Sequence, residues 1–218
     1  MIHTGHPAFR SPGGNCTLWR YMDLAKLLVI LENRSLYFPR SDTFEDPYEG
    51  TLSKAIVDAM KAEEAHGRMP RGTLDQYLEN LKERRQEMYI SCWFASEHES
   101  AAMWKLYLPA PQGVAIRTSH DALVAALTPS QLNIGTTLVQ YVDYQSAPIP
   151  FGNIFFPFVF KRISFEHERE VRAIIWALEE VNRTIITNGV AGVSVEIDPA
   201  VLIRAVHVSP SAPITFGT

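Results

Sequence analysis

Residues 165–172 read FEHEREVR and gather Glu166, His167, Glu168, Arg169, Glu170 and Arg172 within eight positions. An extended backbone sends alternate side chains to one side, so Glu166, Glu168, Glu170 and Arg172 would share a face. Three carboxylates on one face repel, and they need a cation, a metal ion or a shared proton to sit together. Arg172, Lys161 and Arg162 are the cations nearest in sequence. Glu168 and Glu170 are the candidate catalytic pair. A helical first turn is the competing reading. Ser164 would then cap it, and the glutamates would simply suit the positive end of the helix.

Three further constellations bear on chemistry. Asp42, Glu45, Asp46 and Glu49 place four carboxylates in eight positions of the loop 41–50. The spacing and the glycine position are wrong for an EF-hand. Asp46-Pro47 reads as a turn start, although a loop directly after a strand is also where binding groups gather. Residues 97–107, EHESAAMWKLY, follow Trp93 closely and carry His98, Trp104, Lys105 and Tyr107. A ring and a cation at one rim suit a nucleotide base. The same residues also read as a core helix whose Lys105 stem covers apolar surface. A metal site combining His98 and His167 with their flanking glutamates has no recognised ligand spacing. Finally, TLWRY embeds Arg20 between Trp19 and Tyr21. An arginine inside a strand must be paired or face a cleft. It either neutralises one of the glutamates or holds a phosphate or carboxylate in its fork. No phosphate loop, G-x-G-x-x-G, Ser-His-Asp signature or H-E-x-x-H motif occurs.

The elements that must position these groups are legible from periodicity. Residues 17–21 form a strand. Asp23 caps a helix in which Leu24, Leu27, Leu28 and Leu31 recur, and a second strand spans 36–38, which suggests a compact strand–helix–strand unit. Helices are predicted over 52–66 and 73–88, a hairpin inserted between strands, with Leu74, Tyr77, Leu78 and Leu81 buried. Residues 89–94 form a strand and 97–107 a helix with Ala102, Met103, Leu106 and Tyr107 on one side. A strand at 113–117, a helix at 120–127 and a strand at 136–144 follow. The apolar stretch 155–165 is a helix or a turn. Strands at 171–177, 193–197 and 205–208 complete the pattern, with a turn at 199–203. The expectation is a mixed α+β (α/β) domain with a central mixed or antiparallel sheet flanked by helices.

Composition sets the outer bounds. The chain has 218 residues, matching the ~100–200 residues of one domain. Hydrophobic residues make up 46% and charged residues 20%, an ordinary globular balance. The net charge is −4, the pI about 6.0, and no Lys/Arg run occurs, so no broad nucleic-acid surface is expected. A local basic pocket is compatible with that balance. Cys16 and Cys92 match no zinc spacing and suit a reducing compartment. Residues 1–15 are polar, lack an apolar run and read as a flexible arm rather than a signal peptide, leaving 16–218 as one globular domain. No stretch approaches the ~18–20 apolar residues that span a bilayer. A cytoplasmic protein with no membrane partner is expected.

Three stretches together resemble a bacterial family catalogued as domain of unknown function 2971. They are LWRYMDLAKLLVILENRSLYFPRSDTFEDPYEG, CWFASEHESAAMWKLY and FVFKRISFEHEREVRAII, and the likeness covers most of residues 17–210. The resemblance brings no established activity with it. A more distant likeness is to ADP-ribosyltransferase folds. Arg20 with Tyr21 matches their first element, Ser91 or the segment after it stands at the middle one, and Glu168 or Glu170 at the last. The middle stretch, ISCWFAS, departs from the pattern, and the glutamates fall before the predicted strand 171–177. That likeness implies NAD oriented by the first element and a glutamate that polarises its ribose for transfer, as in a toxin or defence effector. The ligand-binding candidates are then Arg20, Tyr21, Asp46, Trp93, Trp104, Lys105 and Arg172, for a nucleotide or small phosphorylated ligand. Two other functions compete: a metal-dependent hydrolase or nuclease using the clustered acids, and a non-catalytic binding module in which the charges form a buried ion network.

Overall fold

The computed structural model describes residues 2–3, 5–108, 113–150, 152–187 and 189–213, so the tail beyond 213 of the expected 16–218 domain lies outside the described residues. β1 (Ile2–His3) precedes β2 (Thr17–Asp23), and Asp23 ends that strand by capping α1 (Leu24–Asn33), its carboxylate accepting from the Lys26 N–H. β3 (Ser35–Pro39) follows. α2 (Lys54–Ala65) and α3 (Thr73–Arg85) form the expected inserted hairpin, closed on its own small core of Leu52, Ile56, Met60, Leu74 and Leu81. β4 (Met88–Ala95) leads to α4 (Ala101–Tyr107), capped by Ser100, and β5 (Gly113–Ser119) leads to α5 (His120–Leu127), capped by Ser119. β6 (Ile134–Leu138), β7 (Gln140–Val142), α6 (Phe156–Val159) and β8 (Phe160–Arg162) come next. A 3-10 segment, Ile163–Glu168, precedes β9 (Glu170–Trp176). β10 (Gly192–Glu196), α7 (Pro199–Leu202) and β11 (Ala205–Val208) end the described fold.

The architecture is mixed α+β, as expected. Six antiparallel strands run in the order β6-β9-β4-β2-β5-β11, and the two-residue β1 adds to β6 in parallel. One face carries the main core. Leu18, Met22, Tyr89, Trp93, Val171, Ala173 and Ile175 from the sheet meet Leu27 and Ile30 of α1, Leu123 and Leu127 of α5 and Leu202 of α7. The other face is covered by two smaller clusters, one around Ile90, Ile174 and Phe158, the other around Trp19, Tyr21, Phe94 and Trp104.

The sheet is not equally joined along its width. β2 and β5 share seven paired positions, as do β4 and β9. β2 and β4 share two, Leu18 with Ala95 and Trp19 with Phe94. The next rung in that alternation, Tyr21 opposite Cys92, is not made. At its far end β4 is met by Arg40 instead, bridged to Tyr89.

Five sequence expectations change. The strand at 136–144 divides: β6 stays in the main sheet, whereas β7 turns away to pair in parallel with β8. The ladder runs out there, since β6 reaches the start of β9 and the Val139 N–H closes on the Glu170 carbonyl. β3 also leaves the main sheet and pairs with β10, so residues 17–38 are not one closed unit. In α1 the buried residues are Leu27 and Ile30, while Leu28 and Leu31 are exposed, because only one narrow stripe of so short a helix meets the sheet. In α4 it is Met103 and Trp104 that are buried, with Leu106 and Tyr107 outward. The segment read as an arm runs beside β6: Arg10 N–H donates to the Thr137 hydroxyl at 3.0 Å, and its carbonyl accepts from Leu138.

Candidate functional site

Where β2 and β4 part, a cleft of about 850 Å³ opens. It crosses the sheet, because its lining draws on side chains from both faces. Tyr21, Cys92, Phe94 and Glu170 come from one, and Arg20, Met22 and Trp93 from the other. Lys161 and the turn residues Phe165 and Glu168 form one wall, with Phe44, Glu45, Asp46 and Glu49 of the early loop beside them. Val29, Tyr37, Leu106 and Tyr107 are among the other residues that line the cleft.

The carboxylates do not share a face by strand alternation. Residues 163–168 are 3-10, and Arg169 adopts a left-handed conformation with φ 39°, so extended backbone begins only at Glu170. That single reversed residue brings Glu168 and Glu170 to one place and leaves Glu166 outside the cleft. The first position of β9 is Glu170 itself, so the glutamate lies within the strand rather than ahead of it.

A buried network neutralises the pair. Arg172 is 0% exposed and sits beneath the cleft. Its Nε and Nη2 donate to Glu170 Oε2 at 2.9 and 2.6 Å, Nη2 donates to Glu49 Oε2 at 3.0 Å, and Nη1 donates to Glu49 Oε1 and to the Phe158 carbonyl. All five guanidinium hydrogens are thereby used. Lys161 bonds Glu168, and its ammonium stands 3.7 Å from Glu170. The network thus contains two cations and three carboxylates. Burial pushes the Glu168 carboxyl up, with the charge of Glu170 adding to the rise against the pull of Lys161. Burial acts on Glu170 in the same direction, but Arg172 and Lys161 more than offset it and hold its pKa below the usual value. Two neighbouring carboxyls pushed apart in this way are suited to different roles, one ionised and one exchanging a proton. Tyr141 accepts the Glu170 N–H at 2.7 Å. The Cys92 thiol, raised by burial and then by the charge of Glu170, is a further neighbour of that carboxylate.

Arg20 is built differently. Its Nη1 donates to Ser91 Oγ at 2.7 Å, its Nη2 to the Tyr37 carbonyl at 3.4 Å, and the guanidinium lies 5.5 Å from the centre of the Trp93 ring. No carboxylate pairs with it among the described residues. Burial lowers its pKa, whereas the carboxylates around Arg172 hold that pKa well above the ordinary value. Arg20 is therefore a half-buried cation facing a cleft with no anion of its own, an arrangement suited to a phosphate or carboxylate of a ligand.

The cleft gathers six of the nine sequence candidates: Arg20, Tyr21, Asp46, Trp93, Glu168 and Glu170. Arg172, Trp104 and Lys105 are not among its lining residues. Trp93 is 1% exposed and supports Arg20 from below, with its Nε1–H donating to Ser91. Trp104 is 6% exposed, packs edge-on to Tyr21 and donates to Glu99. Neither tryptophan offers an open ring. The open rings are Tyr37, 47% exposed, and Tyr107, 45% exposed. The outward register of Tyr37 in β3 carried that signal, and so did the position of Tyr107 at the end of α4. Lys161 and Arg172 are cations the sequence offered for the glutamates, whereas Glu49 emerged as a network partner only in three dimensions, since it is 123 residues from Arg172. Among the described residues no group of three or more His, Cys, Asp or Glu side chains is placed to hold a metal ion. A smaller cavity of about 400 Å³, lined by His6, Phe9, Phe155 and Trp176, contains none of the candidates. Among the described residues no helix is long and apolar enough to cross a membrane. Comparison with protein-family models, curated proteins and solved structures finds no match to this chain.

Proposed function

We propose that the cleft binds a nucleotide-like ligand, NAD in the first instance, and transfers its ADP-ribosyl group, as an ADP-ribosyltransferase-like enzyme would. The observation that carries this reading is one cleft lined both by an arginine without an acid partner and by two carboxylates whose pKa values diverge. Arg20 takes a phosphate in its fork. Tyr37 and Tyr107 supply ring faces. The ribose lies toward Glu168 and Glu170. When the bond from ribose C1′ to nicotinamide nitrogen breaks, its electron pair leaves with nicotinamide and positive charge develops on the ribose. The ionised Glu170 stabilises that charge, as a carboxylate does in glycosidic cleavage. An acceptor hydroxyl or water then bonds to C1′, and its proton passes to Glu168.

The direct test is an NAD titration followed by a consumption assay on the wild type, Glu168→Gln and Glu170→Gln. Binding by all three, with consumption confined to the wild type, is the expected result. No binding and no consumption by the wild type overturns the reading. The saturated ring of charges around Arg172 favours a second reading, a binding module whose ions are structural. Binding of NAD by the wild type with no turnover would select it. The metal-dependent alternative finds less support, because the clustered carboxylates are already engaged by Lys161 and Arg172.

A further inference from the structure

One cation near the cleft belongs neither to the network nor to the ligand-facing side. Arg162 lies between two rings, 4.5 Å from the centre of Tyr48 and 5.0 Å from that of Phe165. Its Nη2 donates to Asp46 Oδ1 at 2.9 Å, and Asp46 in turn caps the Tyr48 N–H. Its Nε is buried without a partner, a cost that the remaining contacts must offset. Tyr48 and Asp46 belong to the early loop, the loop that carries Glu49 to Arg172. Phe165 belongs to the turn that carries Glu168. Lys161, next to Arg162 in β8, places its ammonium 4.6 Å from the Phe165 ring and bonds Glu168. The early loop and the turn come from sequence positions more than a hundred residues apart, and Arg162, the last residue of β8 before the turn, reaches the loop through its hydrogen bond to Asp46.

We infer that Arg162 is the positioning residue of the acidic wall: stacked between Tyr48 and Phe165 and bonded to Asp46, it clasps the early loop to the 163–168 turn and so fixes Glu168 in the cleft. The clasp works through the turn and touches neither glutamate. Glu168 is faced by Lys161 from β8, by Glu170 and Arg172 from β9, by Tyr107 from α4 and by Tyr141 from β7. Releasing the turn removes Glu168 from all of them at once.

The test follows the Glu168 carboxyl by carbon-labelled NMR across pH, together with hydrogen exchange of peptides covering 44–50 and 163–168. In Arg162→Met the Glu168 midpoint falls toward the ordinary carboxylate value, and both peptides exchange about tenfold faster. Arg34→Met, which breaks the exposed pair with Asp198, moves neither and serves as the control. Should Arg162→Met fail to fold, Tyr48→Ala removes one wall of the stack at an exposed position and shifts both readouts in the same direction by less. An unchanged Glu168 midpoint and unchanged exchange in a folded variant overturn the clasp. The inference rests on the nucleotide reading only for what the wall contacts. Wild type that binds no NAD therefore refutes that reading, while the exchange data judge the clasp separately.

Discussion

Arg172 and Arg20 stand in the same sheet, one buried and one half-buried, and they are provided for in opposite ways. Arg172 has every hydrogen matched, two carboxylates around it and a pKa above the ordinary value. Arg20 has a serine, a carbonyl and a tryptophan face, and a pKa below it. A folded chain can satisfy a buried guanidinium completely when nothing else has to bind there. Leaving one without an anion beside a cleft costs free energy, and the cost is recovered only when an anion arrives. On the proposed reading, the first arginine serves stability and the second recognition.

The sharpest way to break this contrast is to delete each cation. Arg172→Met strands Glu49 and Glu170 in the interior and should lower unfolding free energy by ~3–5 kcal/mol in urea titration. Arg20→Ala should cost about 1 kcal/mol of stability, the worth of a hydrogen bond and a cation–π contact. Its affinity for NAD should fall about tenfold to a hundredfold, at 1.4 kcal/mol for each factor of ten. Equal losses of stability from the two changes would erase the distinction.

The pH dependence sharpens it further. Glu170 is held below its ordinary value of 4.5, so its contribution is present above that pH and is lost as pH falls through the depressed value. Glu168 is raised above 4.5, so its contribution is present below that pH and is lost as pH rises through the raised value. Glu168→Gln should therefore abolish the decline on the upper side while leaving the acid limb in place. Urea midpoints measured across pH for both proteins check this, and parallel curves would contradict it. The smallest effect belongs to Lys105→Ala. That lysine is exposed and outside the cleft, so stability should stay within about 0.5 kcal/mol and NAD affinity should not move.

Much of the fold was legible because local chemistry wrote it. Asp23 and the alternating strands act over a few residues, and their elements appear within a residue or two of expectation. The inserted hairpin was equally plain from Leu74, Leu78 and Leu81. What escaped was set by distant partners. The division after Leu138 depends on where β9 begins, and the exposure of Leu28 depends on how α1 meets the sheet. At the site, Arg20 and the two glutamates were readable as chemistry in search of a place. Trp93 and Trp104 are buried, the core alternative of the two readings, because an aromatic near a cation in sequence says nothing about which side of its ring is covered. The shared face proposed for Glu166, Glu168 and Glu170 failed at one residue, Arg169, whose positive φ no periodicity announces.

The uneven joining of the sheet has a mechanical consequence. Two plates, one ending in β4 and the other in β2, are fastened at Leu18 and Trp19 and part beyond them. Such a joint would act as a hinge, and Arg20 and Cys92 stand on either side of the gap just beyond it. A molecule lodged there would act as a missing rung and stiffen the sheet. Occupancy of the cleft should accordingly be felt as slower vibration and slower exchange in strands that the ligand never touches.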